Sequence, residues 1–220
     1  MSDGIAWIGV YSTAGSSAAL PGMLGGISLT CARGIDADEF LIALGADLDE
    51  LADRTLCRDL LVPARRPGNR SPHVNRAMYG TSGEWVYVLE DWGTATWATG
   101  YRKVESMQPA PDEEVVCVAL NAWSPPQRII HAPGDGSAYQ AEFGQDTGEG
   151  SALGAALHAA GAVFPSIAEV GEAAAVAHFE EYGPQLPESV FTAVGDYSGL
   201  SINRTAVEAG DLPAVLIPMV

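Results

Sequence analysis

Gly83-Glu-Trp-Val-Tyr-Val-Leu-Glu-Asp-Trp-Gly93 is the stretch on which the fold turns. In an extended chain successive side chains point to opposite faces. Trp85, Tyr87 and Leu89 therefore share one face, and Val86 and Val88 the other. Both faces are apolar, as in a strand covered on both sides. Asp91-Trp92-Gly93 reads as a turn, and Thr94 to Thr99 as a return strand rich in threonine.

Downstream, Val115 to Asn121 is a continuous apolar strand, Pro125 and Pro126 turn the chain, and Arg128 to Ala132 comes back. Pro133-Gly-Asp-Gly136 is a hairpin signal, after which Tyr139, Ala141 and Phe143 alternate with Gln140 and Glu142. Upstream, Ile27-Ser-Leu-Thr-Cys31 alternates apolar and polar residues as a half-buried strand does. Asp36-Ala-Asp-Glu39 has the spacing of a capping box, with Phe40, Leu41 and Leu44 at helical spacing and Gly45 as a stop. Leu51 to Leu61 suggests a short helical stretch, and 63–72, with three prolines, a loop. Gly144 to Gly150 reads as a flexible bridge. Ser151 to Glu181 is alanine-rich and helical, with Leu153, Leu157, Ala160 and Phe164 along one side. From Leu200, residues Ile202, Val207 and Leu212 suggest a last short helix. The expectation is one α+β domain over 1–220. Its core, 27–143, is an antiparallel meander of about five strands with flanking helices, and 151–220 forms an alanine-rich helical part.

Of the 220 residues 47% are apolar and 18% charged, a composition that supports a globular core of one domain or at most two. Eleven basic side chains face 28 acidic ones, a net charge of −17. Broad nucleic-acid binding is excluded on these grounds, since phosphate neutralisation needs clustered Lys and Arg, and Lys103 is the only lysine. The charge is uneven: residues 1–110 carry a net −4 and residues 111–220 a net −13. Six arginines, Arg54, Arg58, Arg65, Arg66, Arg70 and Arg76, cluster in the first half. Such polarity bears on steering and on pairing with carboxylates.

Three stretches together resemble an uncharacterised bacterial family of domains of unknown function. Cys31 to Asp47 resembles its arginine-glycine, acidic-turn and leucine-helix opening. Gly83 to Gly93 resembles its tryptophan strand and glutamate-x-tryptophan-glycine turn. Val115 to Phe143 resembles its closing meander, and Ser201 to Pro218 its threonine helix and apolar tail. The resemblance spans most of the chain outside Leu51–Asn75 and Gly148–Tyr197. It implies a single α+β domain and assigns no catalytic residue.

Motifs that carry chemistry are scarce. Cys31, Cys57 and Cys117 stand apart among apolar neighbours with no CxxC pair, which suits buried free thiols in a reducing, cytoplasmic setting. Residues 4–32 are uncharged, yet no basic residue precedes Arg33 and glycines interrupt the run, so neither a secretory leader nor a membrane span is read there. His73, His131, His158 and His178 never pair at i,i+3 or i,i+4, so no metal site is assigned, and no cofactor motif or catalytic residue either.

The tryptophans carry more. With a return strand between them, Trp92 and Trp123 fall at one end of the sheet, with Glu90, Asp91 and Asn121 around them. Exposed Trp beside carboxylates makes an interface anchor. The favoured reading is a non-catalytic acidic binding protein, immunity- or antitoxin-like, covering a basic partner such as a toxin or nuclease. A second reading has Arg65, Arg66 and Arg70 clamping the phosphate of a nucleotide or small molecule. A third makes the chain a subunit of a larger assembly that docks through its helical insert.

Overall fold

The computed structural model describes residues 4–11, 21–23, 26–61, 73–91, 95–99, 110–120 and 127–219. Its strands are β1 (Ser28–Arg33), β2 (His73–Ser82), β3 (Trp85–Glu90), β4 (Glu114–Ala119), β5 (Arg128–Ala132), β6 (Tyr139–Glu142) and β7 (Ala214–Met219). They form one antiparallel sheet in the order β6-β5-β4-β1-β3-β2-β7. The α+β class stands, with seven strands rather than five. The meander is confined to β4-β5-β6, and β1 occupies the centre.

β3 is buried along its whole length, as its two apolar faces demand. It is the sheet's arbiter because its odd and even residues enter different cores. Trp85, Tyr87 and Leu89 join Leu29, Cys31, Met78, Val116 and Val118. Val86 and Val88 join Ala32, Ala77, Tyr79, Val215 and Ile217. The first core lies under α1 (Ala6–Val10), α5 (Ala152–Ala159) and α8 (Leu186–Ser198), through Ile8, Leu153, Leu157, Phe191 and Val194. The second lies under α2 (Ala37–Leu44) and α3 (Leu48–Asp53), through Phe40, Leu41, Leu44 and Leu51.

α2 forms as its sequence dictates. Asp36 caps it by accepting from Asp38 N (2.9 Å) and Glu39 N (3.4 Å), and Gly45 ends it at φ +99°. α1 and α8 meet through Gly9, where a Cβ would sit 2.3 Å from the Pro187 carbonyl oxygen, so only glycine permits this approach.

Several expectations are corrected. Of the return strand expected from Thr94 to Thr99, Thr94 lies outside the described residues and the rest holds one turn of helix instead, α4 (Thr96–Thr99), tied to the Glu90 carboxylate, while β3 pairs with β1 and β2. β2 and β7 were not foreseen. β2 mixes Asn75, Arg76 and Gly80 with its apolar residues, and β7 is an edge strand with Pro218 in its run. The stretch 51–61 divides between the end of α3 and a 3₁₀ turn, Cys57–Asp59. The bridge 144–150 is tied down, with Gly144 bridged to Val163 and Thr147 buried. The region 151–181 is broken into α5, α6 (Ile167–Val170) and α7 (Glu172–Tyr182), leaving Ala160 and Phe164 beyond α5. α8 follows. The last helix, α9 (Arg204–Ala209), ends before Leu212.

Candidate functional site

Because β1 runs antiparallel to both β3 and β4, those two strands run parallel to each other. Their C-terminal ends, after Glu90 and after Ala119, therefore lie at the same end of the sheet. β1, rather than a return strand, supplies the reversal between them. Trp92, Asn121 and Trp123 lie outside the described residues, as do Arg65, Arg66 and Arg70.

Glu90 and Asp91 are both buried, so neither offers a carboxylate to a partner in this structure. Strand alternation sends them to opposite faces. Glu90 lies on the α2–α3 side and accepts from Thr96 N (2.7 Å) and Thr96 Oγ1 (2.5 Å). Burial pushes its carboxyl up to about 7, against the opposing pull of Thr96 and Asn75. Asn75 is buried beside it, its side-chain amide turned to the carboxylate. Asp91 pairs with Arg76 at 3.2 Å. Arg54 pairs with Asp38 at 2.8 Å and Arg58 with Asp211. Three of the six clustered arginines are thus engaged with carboxylates.

At the opposite end of the sheet a polar cluster lies between the strands and the α5–α8 layer, and sequence patterning did not reveal it. Glu114 of β4 and His131 of β5 point to the same face. Glu114 Oε1 receives His131 Nε2 at 2.7 Å and the Tyr197 hydroxyl of α8 at 2.5 Å, while its Oε2 meets Arg33 at 2.6 Å. Arg33 also lies 5.3 Å over the Trp85 ring. Burial and the Glu114 carboxylate raise the Tyr197 phenol above its ordinary value. On its other side His131 Nδ1 meets Ser151 Oγ at 3.3 Å.

A serine, a histidine and a glutamate in hydrogen-bonded series suggest an activated nucleophile. Here the serine is already occupied. Ser151 Oγ accepts from Gly154 N (3.2 Å) as the cap of α5 and from Thr147 Oγ1 (2.9 Å). It also meets His131 Nδ1, whose other ring nitrogen faces Glu114. Every partner is satisfied and the hydroxyl is buried. The chain Thr147–Ser151–His131–Glu114–Tyr197 ties β4 and β5 to both covering helices. Glu114 and Tyr197 are 83 residues apart, so only the folded register brings them together.

The surface is marked by charge. Between 129 and 203 there are ten carboxylates and no Lys or Arg. All ten are exposed: Asp135, Glu142, Asp146, Glu149, Glu169, Glu172, Glu180, Glu181, Glu188 and Asp196. Among the described residues the one ion pair within this set joins Asp146 to His158 at 2.6 Å. The Gly148 N–H and His158 hold the Asp146 carboxyl below its usual range. Also among the described residues, none of the three buried cysteines is in a disulfide, no group of three or more His, Cys, Asp or Glu is placed to hold a metal ion, and no helix is long and apolar enough to cross a membrane. No protein-family model matches the chain, and no curated protein and no solved structure matches it either.

Proposed function

We propose that the chain is a non-catalytic binding protein whose acidic C-terminal half covers a basic protein partner, in the manner of an immunity or antitoxin protein. The ten exposed carboxylates of 129–203, with no Lys or Arg among them, carry this reading. Like charges gathered on one part of a surface repel and cost the folded state stability. A cationic partner reverses that sign, accelerates encounter and excludes acidic competitors. The first half supplies the contrast, because Arg54, Arg58 and Arg76 are spent on internal carboxylates.

The test is capture from the native host followed by identification, then kinetics with the purified partner. The partner is expected to be basic, to lose its own activity on binding, and to associate more slowly as salt rises past ~0.15 M, where the screening length is ~8 Å. A neutral or acidic partner whose association rate ignores salt refutes the reading.

A further inference from the structure

The geometry points to α6 and α7 as the docking face, and to its occupant as a protein surface with an apolar centre and a Lys- and Arg-rich rim. This inference rests on the acidic-binding reading and gives it a location.

α7 has eleven residues and buries none of them. Helices of fewer than ~12 residues are marginal in water without a packed face, so this one lacks the cover that normally stabilises such a length. Its link to the body is aromatic. Phe164 is fixed to the bridge by its N–H to Gly144 O (2.7 Å), and it meets His178 edge-on at 4.8 Å and Phe179 at 6.3 Å.

The rest of the helix faces outward with the wrong chemistry for water. Val176 is 50% exposed, Phe179 61% and Tyr182 43%, and on α6 Ile167 is 62% and Val170 43% exposed. At 100° per residue, Ala175, Val176, Phe179 and Tyr182 occupy about 120° of the α7 surface, with Glu180 on its flank and Glu172 at its N-terminal end. Glu169 sits between the two apolar residues of α6, held by the Ser166 N–H and hydroxyl. An apolar centre with a charged rim is how binding surfaces are built. The rim here is acidic throughout, so it selects a basic partner. A second copy of this chain would bring the same carboxylates and a further net charge of −17 against it.

Two peptides of equal length and charge serve as probes, one with leucines along one face and lysines along the other, and one of glycine and lysine only. Each is titrated into the isotope-labelled chain and into the double variant Ile167→Ser/Val176→Ser, which leaves the charge and the aromatic link unchanged. The leucine–lysine peptide should bind at least ~10-fold more tightly, in line with the weight of buried anchors in interfaces. It should shift the amide signals of 167–182, and the double variant should abolish the preference without lowering the melting temperature. Equal binding of both peptides, unaffected by the double variant, overturns the docking face and leaves the acidic-binding reading standing. Binding of neither overturns both. Self-association in sedimentation that the double variant abolishes overturns the choice of occupant, because the face then meets a second copy.

Discussion

Glu90 is held where ionisation is expensive, and replacing it with glutamine should stabilise the protein at neutral pH. Its carboxyl is fully buried, and burial raises it from 4.5 to about 7. Between those values the folded chain keeps a proton that the unfolded chain has released. The contribution of Glu90 is therefore intact below pH 4.5 and is lost as pH rises through 7. At ~1.4 kcal/mol per pH unit the full span amounts to about 3 kcal/mol. Because the sequence pI is near 4.3, where solubility is poorest, the accessible comparison is pH 5.5 against pH 8. Over that window the linkage relation gives about 2 kcal/mol. Glu90→Gln keeps an oxygen for Thr96 N and an amide for the Thr96 hydroxyl, so it removes the titration with little change in packing. Urea unfolding of both proteins at the two pH values measures the difference directly, since every other ionisable group is common to both. The parent should lose about 2 kcal/mol more than the variant on going to pH 8. Parallel pH profiles, or a variant less stable than the parent at pH 8, would refute the account of Glu90 as a buried acid.

The close contact of α1 with α8 makes Gly9→Ala destabilising by about 1–3 kcal/mol, the usual cost of overpacking, measurable as a lowered urea midpoint. His131→Ala should cost about 3 kcal/mol or more, because it opens a cavity and strips a buried carboxylate of one partner. Ser151→Ala should cost about 1 kcal/mol as a lost helix cap. The order of the two melting temperatures, with His131→Ala the lower, checks the reading of that cluster as a structural tie. Chelation with EDTA should leave the melting temperature unchanged, and a fall of several degrees would show that a bound ion contributes to the native state.

What was legible in the sequence was whatever is encoded locally. Asp36, Glu39 and Gly45 state the limits of α2 within ten residues, and Pro133 to Gly136 states its own hairpin. β3 declared its central position because burial on both faces leaves no polar alternation to confuse with a helix. The failures share a physical cause. β2 has no clean period because Asn75 and Arg76 are tolerated inside only by neighbours contributed from other strands. Thr94 to Thr99 has a good strand composition, and at Thr96 the hydrogen bonds its N–H and hydroxyl donate to the Glu90 carboxylate override it. Glu90 and Asp91 looked like surface acids because nothing nearby in sequence announces burial. The apolar stripe of α7 lies inside the stretch expected to be alanine-rich and helical, and its direction is not legible, since a stripe looks the same whether it faces the protein's own interior or a partner.

The central place of β1 dictates an order of events during synthesis. Both partners of β1 come later in the chain, β3 more than 50 residues on and β4 more than 80. As the chain leaves the ribosome, Ser28 to Arg33 must therefore wait with both hydrogen-bonding edges open until β3 has been made, and with one edge open until β4 follows. β2 and β3 are adjacent in sequence and can zip first as a hairpin, but β2 keeps an open edge until residues 214–219 arrive. Non-local pairing of this kind is slow to form and exposes apolar strands to neighbours while it waits. The vulnerable period for this chain is thus its own translation. A ribosome that pauses between residues 90 and 114 would hold the apolar core open on one side, with Leu29 and Cys31 lacking the Val116 and Val118 that complete it.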